Sequence, residues 1–157
     1  MGHPHEAVDS ACKNAYLSEL STSAALGLAR YHSGDNRRAV TPYFRKGLEF
    51  CNQLLHSIQL LSEPDPSIAS LSKPKRESIQ HFSNYLSSHY KRHQISAIKK
   101  QAQEIKQSLT DILSGRNELP EDKVFTYRAF FYKLGIPILE SAISFWDKRD
   151  EDKFIRR

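Results

Sequence analysis

Apolar residues recur at intervals of three and four along most of the chain, and no long run alternates between apolar and polar residues. Such spacing places apolar side chains on one face of an α-helix. The clearest example follows a turn at residues 33–36 and comprises Val40, Phe44, Gly47, Leu48, Cys51, Leu54, Leu55, Ile58 and Leu61. The sequence therefore predicts an all-α fold, a single domain built as a bundle of four or five helices.

Breaks in the pattern divide the first half of the chain. A first helix is predicted over about residues 6–32. It should end at Ser33-Gly34-Asp35-Asn36, because glycine adopts the left-handed conformation that closes a helix and Asp or Asn caps the next one. The second helix is predicted to end near Leu61. Residues 62–75 are rich in Pro and Ser and are predicted to form an internal loop.

Residues 75–113 carry two stripes at helical spacing that differ in phase. The first comprises Ile79, Phe82, Leu86, His89 and His93, and the second comprises Ile95, Ile98, Ala102, Ile105, Leu109 and Ile112. One straight helix cannot turn both stripes toward the same core. We therefore expect a break between Tyr90 and Ser96.

A last helix is predicted from Glu121 to Asp147. Its inward positions are Val124, Tyr127, Phe131, Leu134, Ile138, Ala142 and Phe145. Gly135 and Pro137 lie within this helix, and proline removes a backbone donor and crowds the preceding turn, so a kink is predicted there. Residues 148–157 alternate in charge and are predicted to be a solvated tail.

Composition narrows the class of protein. The chain has 157 residues, of which 39% are hydrophobic and 26% charged, as in ordinary globular domains. No stretch approaches the roughly 20 apolar residues of a membrane span, and the N-terminus lacks the pattern of a secretion signal. Cys12 and Cys51 form no spaced framework. We therefore expect reduced cysteines, as in cytosolic or nuclear proteins, and a cytoplasmic protein without a membrane span.

Tests for catalytic and metal-binding patterns are negative. His89 and His93 are four residues apart, which would place two imidazoles on one helix face, but no carboxylate or Cys stands at a complementary offset. The chain contains no HExxH motif, no glycine-rich phosphate loop and no nucleophile elbow. We expect neither an enzyme nor a bound metal or cofactor.

Basic residues are concentrated between residues 73 and 106, within a chain of formal net charge +5. They are Lys73, Lys75, Arg76, Lys91, Arg92, Lys99, Lys100 and Lys106. Histidines and tyrosines are interleaved with them, and basic residues with nearby aromatics are typical of nucleic-acid binders. A solvated helix face has the same composition, and for this cluster we favour it over nucleic-acid binding.

Residues 26–48 carry a more specific pattern. Leu26-Gly27, Gly34, Ala39 and Tyr43 occupy the positions of the Leu-Gly pair, turn glycine, small residue and aromatic of a tetratricopeptide repeat. Gly34, Arg38-Ala39-Val40, Tyr43 and Gly47-Leu48 follow in the order found in microtubule-interacting and trafficking (MIT) domains. The segment thus resembles the helical hairpin shared by these families, in which Gly27 and Ala39 would let two helices approach closely. No second copy follows at a 34-residue period, and a lone repeat cannot bury its face, which favours the MIT resemblance.

The MIT resemblance implies a bundle closed by a helix at residues 98–109, with a partner helix docked beside it. The implied partner-binding residues are Lys99, Lys100, Gln103, Lys106 and Gln107. Lys106 stands where the family often has an acidic residue, which favours an acidic partner helix. Residues 63–95 would then be either an insertion or a separate helix. MIT domains occur in ATPases that sever microtubules or disassemble membrane-scission polymers, so we expect a non-enzymatic adaptor for protein–protein interaction, with a role in membrane trafficking.

An alternative function is binding of nucleic acid by a basic helical protein, or by a small subunit of a nucleoprotein complex. Its candidate residues are Lys91, Arg92, Lys99 and Lys100. The sequence leaves both functions open, together with the oligomeric state.

Overall fold

The computed structural model describes the backbone of residues 4–116 and 118–155, and the side chains of residues 8–116 and 118–144. Within these limits the chain forms five α-helices, one short 3₁₀ helix and no strand. The helices are α1 (Pro4–His32), α2 (Arg37–Ser62), α3 (Lys73–His89), α4 (Arg92–Leu113) and α5 (Glu121–Ile155), and the 3₁₀ helix spans Pro66–Ser70. The predicted all-α bundle is confirmed.

The corner between α1 and α2 follows the sequence prediction. Gly34 has a φ of 93°, a conformation that residues with a side chain rarely adopt. The Asn36 side chain then accepts a hydrogen bond of 2.9 Å from the backbone N–H of Ala39 and caps α2. The local chemistry of four residues therefore sets where the first helix ends and the second begins.

Two glycines allow α1 and α2 to pack closely. A Cβ added to Gly27 would clash with the Cβ of Tyr43, and one added to Gly47 would lie 3.0 Å from the Cβ of Ala24. The role predicted for Gly27 is confirmed, but the one predicted for Ala39 is wrong, since Ala39 is exposed. Val40 takes the buried position beside it, and neighbouring residues on a helix point about 100° apart.

The core is organised around the α1–α2 hairpin. Helix α5 packs against α1, whereas α3 and α4 pack against α2. Phe50 of α2 lies at the centre, with its ring centroid 5.6 Å from that of Phe82 in α3 and 5.9 Å from that of Phe131 in α5. This arrangement gives α2 neighbours on several sides.

Because α2 has several neighbours, its buried face is broader than the predicted stripe. Ile58 is buried as predicted, but Leu48 and Leu55 are only partly buried and Leu61 is exposed. Polar residues take inner positions instead. Ser57 donates a hydrogen bond to the carbonyl of Ile79, and Gln53 accepts one from Ser78; these bonds remove the cost of burying polar groups.

The break predicted between Tyr90 and Ser96 is confirmed: α3 ends at His89 and α4 begins at Arg92. Residues 73–89 therefore form a separate helix of the bundle. The predicted loop at 62–75 is shorter and more ordered than expected. Ser62 still belongs to α2, Lys73 already belongs to α3, and Asp65 caps the 3₁₀ helix that buries Ile68.

Helix α5 is longer than the sequence suggested. It runs to Ile155, so the predicted tail at 148–157 is helical as far as the structure describes it. Lys, Arg and Glu are good helix formers, and an alternation of charge supports a helix as readily as a solvated coil. The helix continues through Gly135 and Pro137, and the kink there remains a prediction. The inward side chain predicted for Phe145 lies outside the described residues.

Close contact with α1 positions α5. Ser18 donates a hydrogen bond of 3.0 Å to the carbonyl of Gly135, and Ser21 donates one to the carbonyl of Phe131. A Cβ added to Gly135 would lie 2.9 Å from the Cβ of Ser21. As residue numbers rise along α1 they fall along α5, so the two helices are antiparallel.

Candidate protein-binding groove

The candidate site is a groove where α2 ends, α3 ends and α4 begins, hereafter the α2–α4 groove. Its volume is about 570 Å³. It is lined by Ile58, Leu61, Ser62, Ser87, Tyr90, Arg92, Ile95, Ser96 and Lys99.

The chain break between α3 and α4 shapes the groove. The backbone N–H of Tyr90 donates a hydrogen bond of 2.9 Å to the carbonyl of Leu86, which closes α3. The backbone of Tyr90 itself has an extended conformation, so the helix ends there. The backbone N–H of Lys91 then donates to the Gln94 side chain at 2.7 Å, which starts α4 in a new direction. Both Tyr90 and Ile95 pack against the core while remaining partly accessible. The break thus places an aromatic and an aliphatic side chain in the lining of one groove.

The end of α2 supplies the rest of the apolar floor. Ile58 is only 7% exposed, whereas Leu61, one turn later, is 40% exposed. An isolated exposed leucine is ordinary, but Leu61 shares this groove with the partly accessible Tyr90 and Ile95. Burial raises the pKa of Tyr90. A tyrosine phenol is neutral near pH 7 even without such a shift and can donate a hydrogen bond.

The rim of the groove is basic. Arg92 and Lys99 are exposed and lie two helical turns apart on α4, so they face the same direction. Between residues 91 and 107 the only acidic residue is Glu104, and it is paired with Lys123 of α5 at 2.9 Å. Among the described side chains, none of the basic residues from 91 to 106 forms an ion pair. Their charge is available to a partner.

One other cavity differs from the α2–α4 groove in the charges that line it. A cavity of about 360 Å³ between the start of α1 and the start of α3 is lined by both signs of charge. Its Lys13 already pairs with Asp9 and with Glu77, the latter at 3.8 Å, and its Lys75 pairs with Glu49 at 3.4 Å. A partner there would have to displace existing ion pairs.

The predicted partner-binding residues fall on two faces of α4. All five are exposed, and Lys99, Gln103 and Lys106 follow one another along one face, with Lys99 in the groove lining. Lys100 and Gln107 lie on another face, about 100° of helical rotation from Lys99 and Lys106. Gln107 donates a hydrogen bond of 3.0 Å to Asp111. The structure therefore groups Lys99, Gln103 and Lys106 on one face of α4 and separates Lys100 and Gln107 from them.

The nucleic-acid candidates are exposed as well. Arg92 and Lys99 line the groove, and Lys91 and Lys100 lie outside its lining. Sequence reasoning missed the apolar floor formed by Leu61, Tyr90 and Ile95. Two features of the sequence could have indicated this floor. Leu61 is the last apolar residue of the α2 stripe, and the stripe changes phase after Tyr90.

The paired-histidine hypothesis loses its geometric basis. His89 is the last residue of α3 and His93 belongs to α4, so the two imidazoles do not share a helix face. In the described part of the chain, no three His, Cys, Asp or Glu side chains are grouped as metal ligands would be. The thiols of Cys12 and Cys51 are free, the first exposed and the second buried.

Comparison of the chain with models of protein families, with curated proteins and with solved structures gives no match. Across the described residues, no helix combines the length and apolar character needed to cross a membrane.

Proposed function

We propose that this protein is a non-enzymatic interaction module of the cytoplasm, which binds an acidic amphipathic helix of a partner protein in the α2–α4 groove. The observation that carries the proposal is the pairing of an accessible apolar floor, Leu61 and Ile95, with an exposed rim, Arg92 and Lys99, that forms no ion pair among the described side chains. Apolar anchors at helical spacing would fill the floor. Carboxylates on the flank of the same helix would face the rim and steer its approach.

The sequence resemblance of residues 26–48 to MIT domains supports the same proposal. The α2–α4 groove lies beside the start of α4, the helix that the resemblance assigns as the closing helix. Membrane trafficking is the setting that this resemblance adds to the proposal. The partner's acidic character rests on the rim charges and does not depend on the family.

Nucleic-acid binding is the second candidate, because Lys91, Arg92, Lys99 and Lys100 are exposed and without ion pairs among the described residues. The two candidates make different demands on neighbouring lysines. A peptide in the groove meets Lys99 but not Lys100, whereas a phosphate backbone attracted by the whole basic segment uses both.

The test is therefore a matched pair of charge reversals, Lys99→Glu and Lys100→Glu. Binding of a fluorescent helical peptide of Leu and Glu at heptad spacing, and of a generic DNA duplex, is followed by fluorescence anisotropy. Under the groove proposal, Lys99→Glu weakens peptide binding about tenfold and Lys100→Glu changes it less than about threefold. Equal losses of peptide binding in both variants would contradict the groove.

A second matched pair of variants tests the apolar floor of the groove. Leu61→Ser should weaken peptide binding, whereas Leu26→Ser, at a position 44% exposed on α1, should not. Duplex binding that falls steeply with salt, and that both lysine reversals weaken alike, would support the nucleic-acid candidate. A peptide with Lys in place of Glu serves as the control for charge, and tight binding of it would overturn the acidic-partner proposal.

A further inference from the structure

Helix α5 carries a second apolar stripe on its exposed side, hereafter the outer stripe. Its large members are 36–50% exposed: Phe125, Tyr132, Ile136, Leu139 and Ile143. The exposed Ala129 occupies the one remaining position. The intervals along the stripe are four, three, four, three and four residues. This is a repeat of 3.5 residues sustained over five turns.

A repeat of 3.5 residues indicates a specific kind of partner. It keeps one seam of a helix facing a second helix in a left-handed coiled coil, with alternate positions inserting into the facing helix. Contiguous exposed apolar rows on soluble proteins mark interaction surfaces, although single exposed residues do not. The core of this chain uses a different face of α5, which includes Tyr127, Phe131 and Leu134. The outer stripe therefore lies outside the core, with a contact to the rest of the bundle at its start, where the ring centroid of Phe125 is 5.3 Å from that of His32 in α1.

The charges beside the outer stripe indicate what covers it. Lys133 and Glu140 are exposed and flank the stripe on the same side, seven residues apart. In an antiparallel coiled coil, flanking positions of the same heptad type face each other across the seam. Two copies of α5 crossing near the centre of the stripe would place Lys133 of each copy opposite Glu140 of the other. A parallel pair would instead bring Lys133 toward Arg128 of the other copy, which is like-charged.

The apolar positions are also self-complementary in the antiparallel register. Phe125 would meet Ile143 of the second copy, Ala129 would meet Leu139, and Tyr132 would meet Ile136, each pairing occurring twice by symmetry. Every described member of the stripe thereby gains an apolar partner. We propose that this protein forms a two-fold symmetric homodimer through antiparallel pairing of the outer stripe of α5.

The first experiment measures the mass of the full chain by sedimentation equilibrium over a wide range of micromolar concentrations. The wild type is expected to dimerise, and Ile136→Glu at the centre of the stripe is expected to raise the dissociation constant at least about tenfold. Tyr16→Glu is the control, since Tyr16 is 45% exposed but lies on α1, beside the start of α3. A monomeric wild type, which would leave the stripe to a different protein, or a dimer unaffected by Ile136→Glu, would overturn the proposal.

The second experiment tests the register with surface charges that do not risk the fold. Lys133→Glu alone and Glu140→Lys alone each replace two attractive contacts by two repulsive ones and should weaken the dimer about tenfold. The double variant Lys133→Glu with Glu140→Lys should restore wild-type affinity. Failure of the double variant to recover would exclude the antiparallel register. Peptide binding in the α2–α4 groove is scored on the same variants, so the two proposals can fail separately.

Discussion

Two adjacent leucines in α2 provide a sharp test of the packing. Leu54 is 0% exposed, whereas Leu55, which the sequence pattern also placed inside, is only partly buried. Leu54→Ala would remove atoms that are enclosed on all sides and leave a cavity, a change that costs about 3–5 kcal/mol of the free energy of unfolding. Leu55→Ala removes the same atoms from a half-open site that solvent can reach, so we expect about 1 kcal/mol.

The assay is urea unfolding followed by circular dichroism at 222 nm, with protein concentration held constant because dimerisation would add to the apparent stability. The two variants share chemistry, helix and helix propensity, so their difference reports burial alone. Equal losses would refute the arrangement of α3 and α4 around α2. A larger loss at Leu55 would mean that its side of α2 is covered more fully than the described helices cover it.

Three further predictions concern single positions. Gly34→Val should lower the free energy of unfolding by about 1–3 kcal/mol, measured in the same assay, because a β-branched residue resists a positive φ. Burial raises the pKa of Cys51 to about 12, so native protein should react with iodoacetamide near pH 7.5 at Cys12 only, and at both thiols in urea; fast labelling of native Cys51 would contradict its burial. Burial, and then Lys13, lower the pKa of His81 below 6.5. Its contribution to stability is therefore present above pH 6.5 and is lost as pH falls through the folded-state pKa, and His81→Gln should remove that part of the pH dependence of unfolding.

Local signals made the helices and their breaks predictable. The corner at Gly34 and Asn36 depends on four consecutive residues, and the break after His89 is visible as a change of phase between two stripes. Neither feature needs knowledge of distant parts of the chain. The same reasoning wrongly predicted that α5 ends at Asp147, because alternating charges are compatible with both a helix and a solvated tail.

Which side chains are buried, and which ones form the groove, depends on contacts between residues that are distant in the sequence. Ser57 can be buried because its hydroxyl donates a hydrogen bond to the carbonyl of Ile79, and no pattern near Ser57 in the sequence predicts that partner. The floor of the α2–α4 groove combines Leu61 and Ile95, which are 34 residues apart. In α5, two stripes have helical spacing, and only the position of α1 determines which one enters the core.

The hydrogen bonds from α1 to α5 also bear on how the chain folds. Ser18 and Ser21 bond to carbonyls that lie 117 and 110 residues later in the sequence. Contacts across such separations form slowly, because a long loop must close before they contribute any stability. During synthesis, the apolar face of α1 stays uncovered by α5 until residues 131–135 have left the ribosome, long after α2 is complete. The helical hairpin of α1 and α2 can form early, and docking of α5 is the late step that completes the native state.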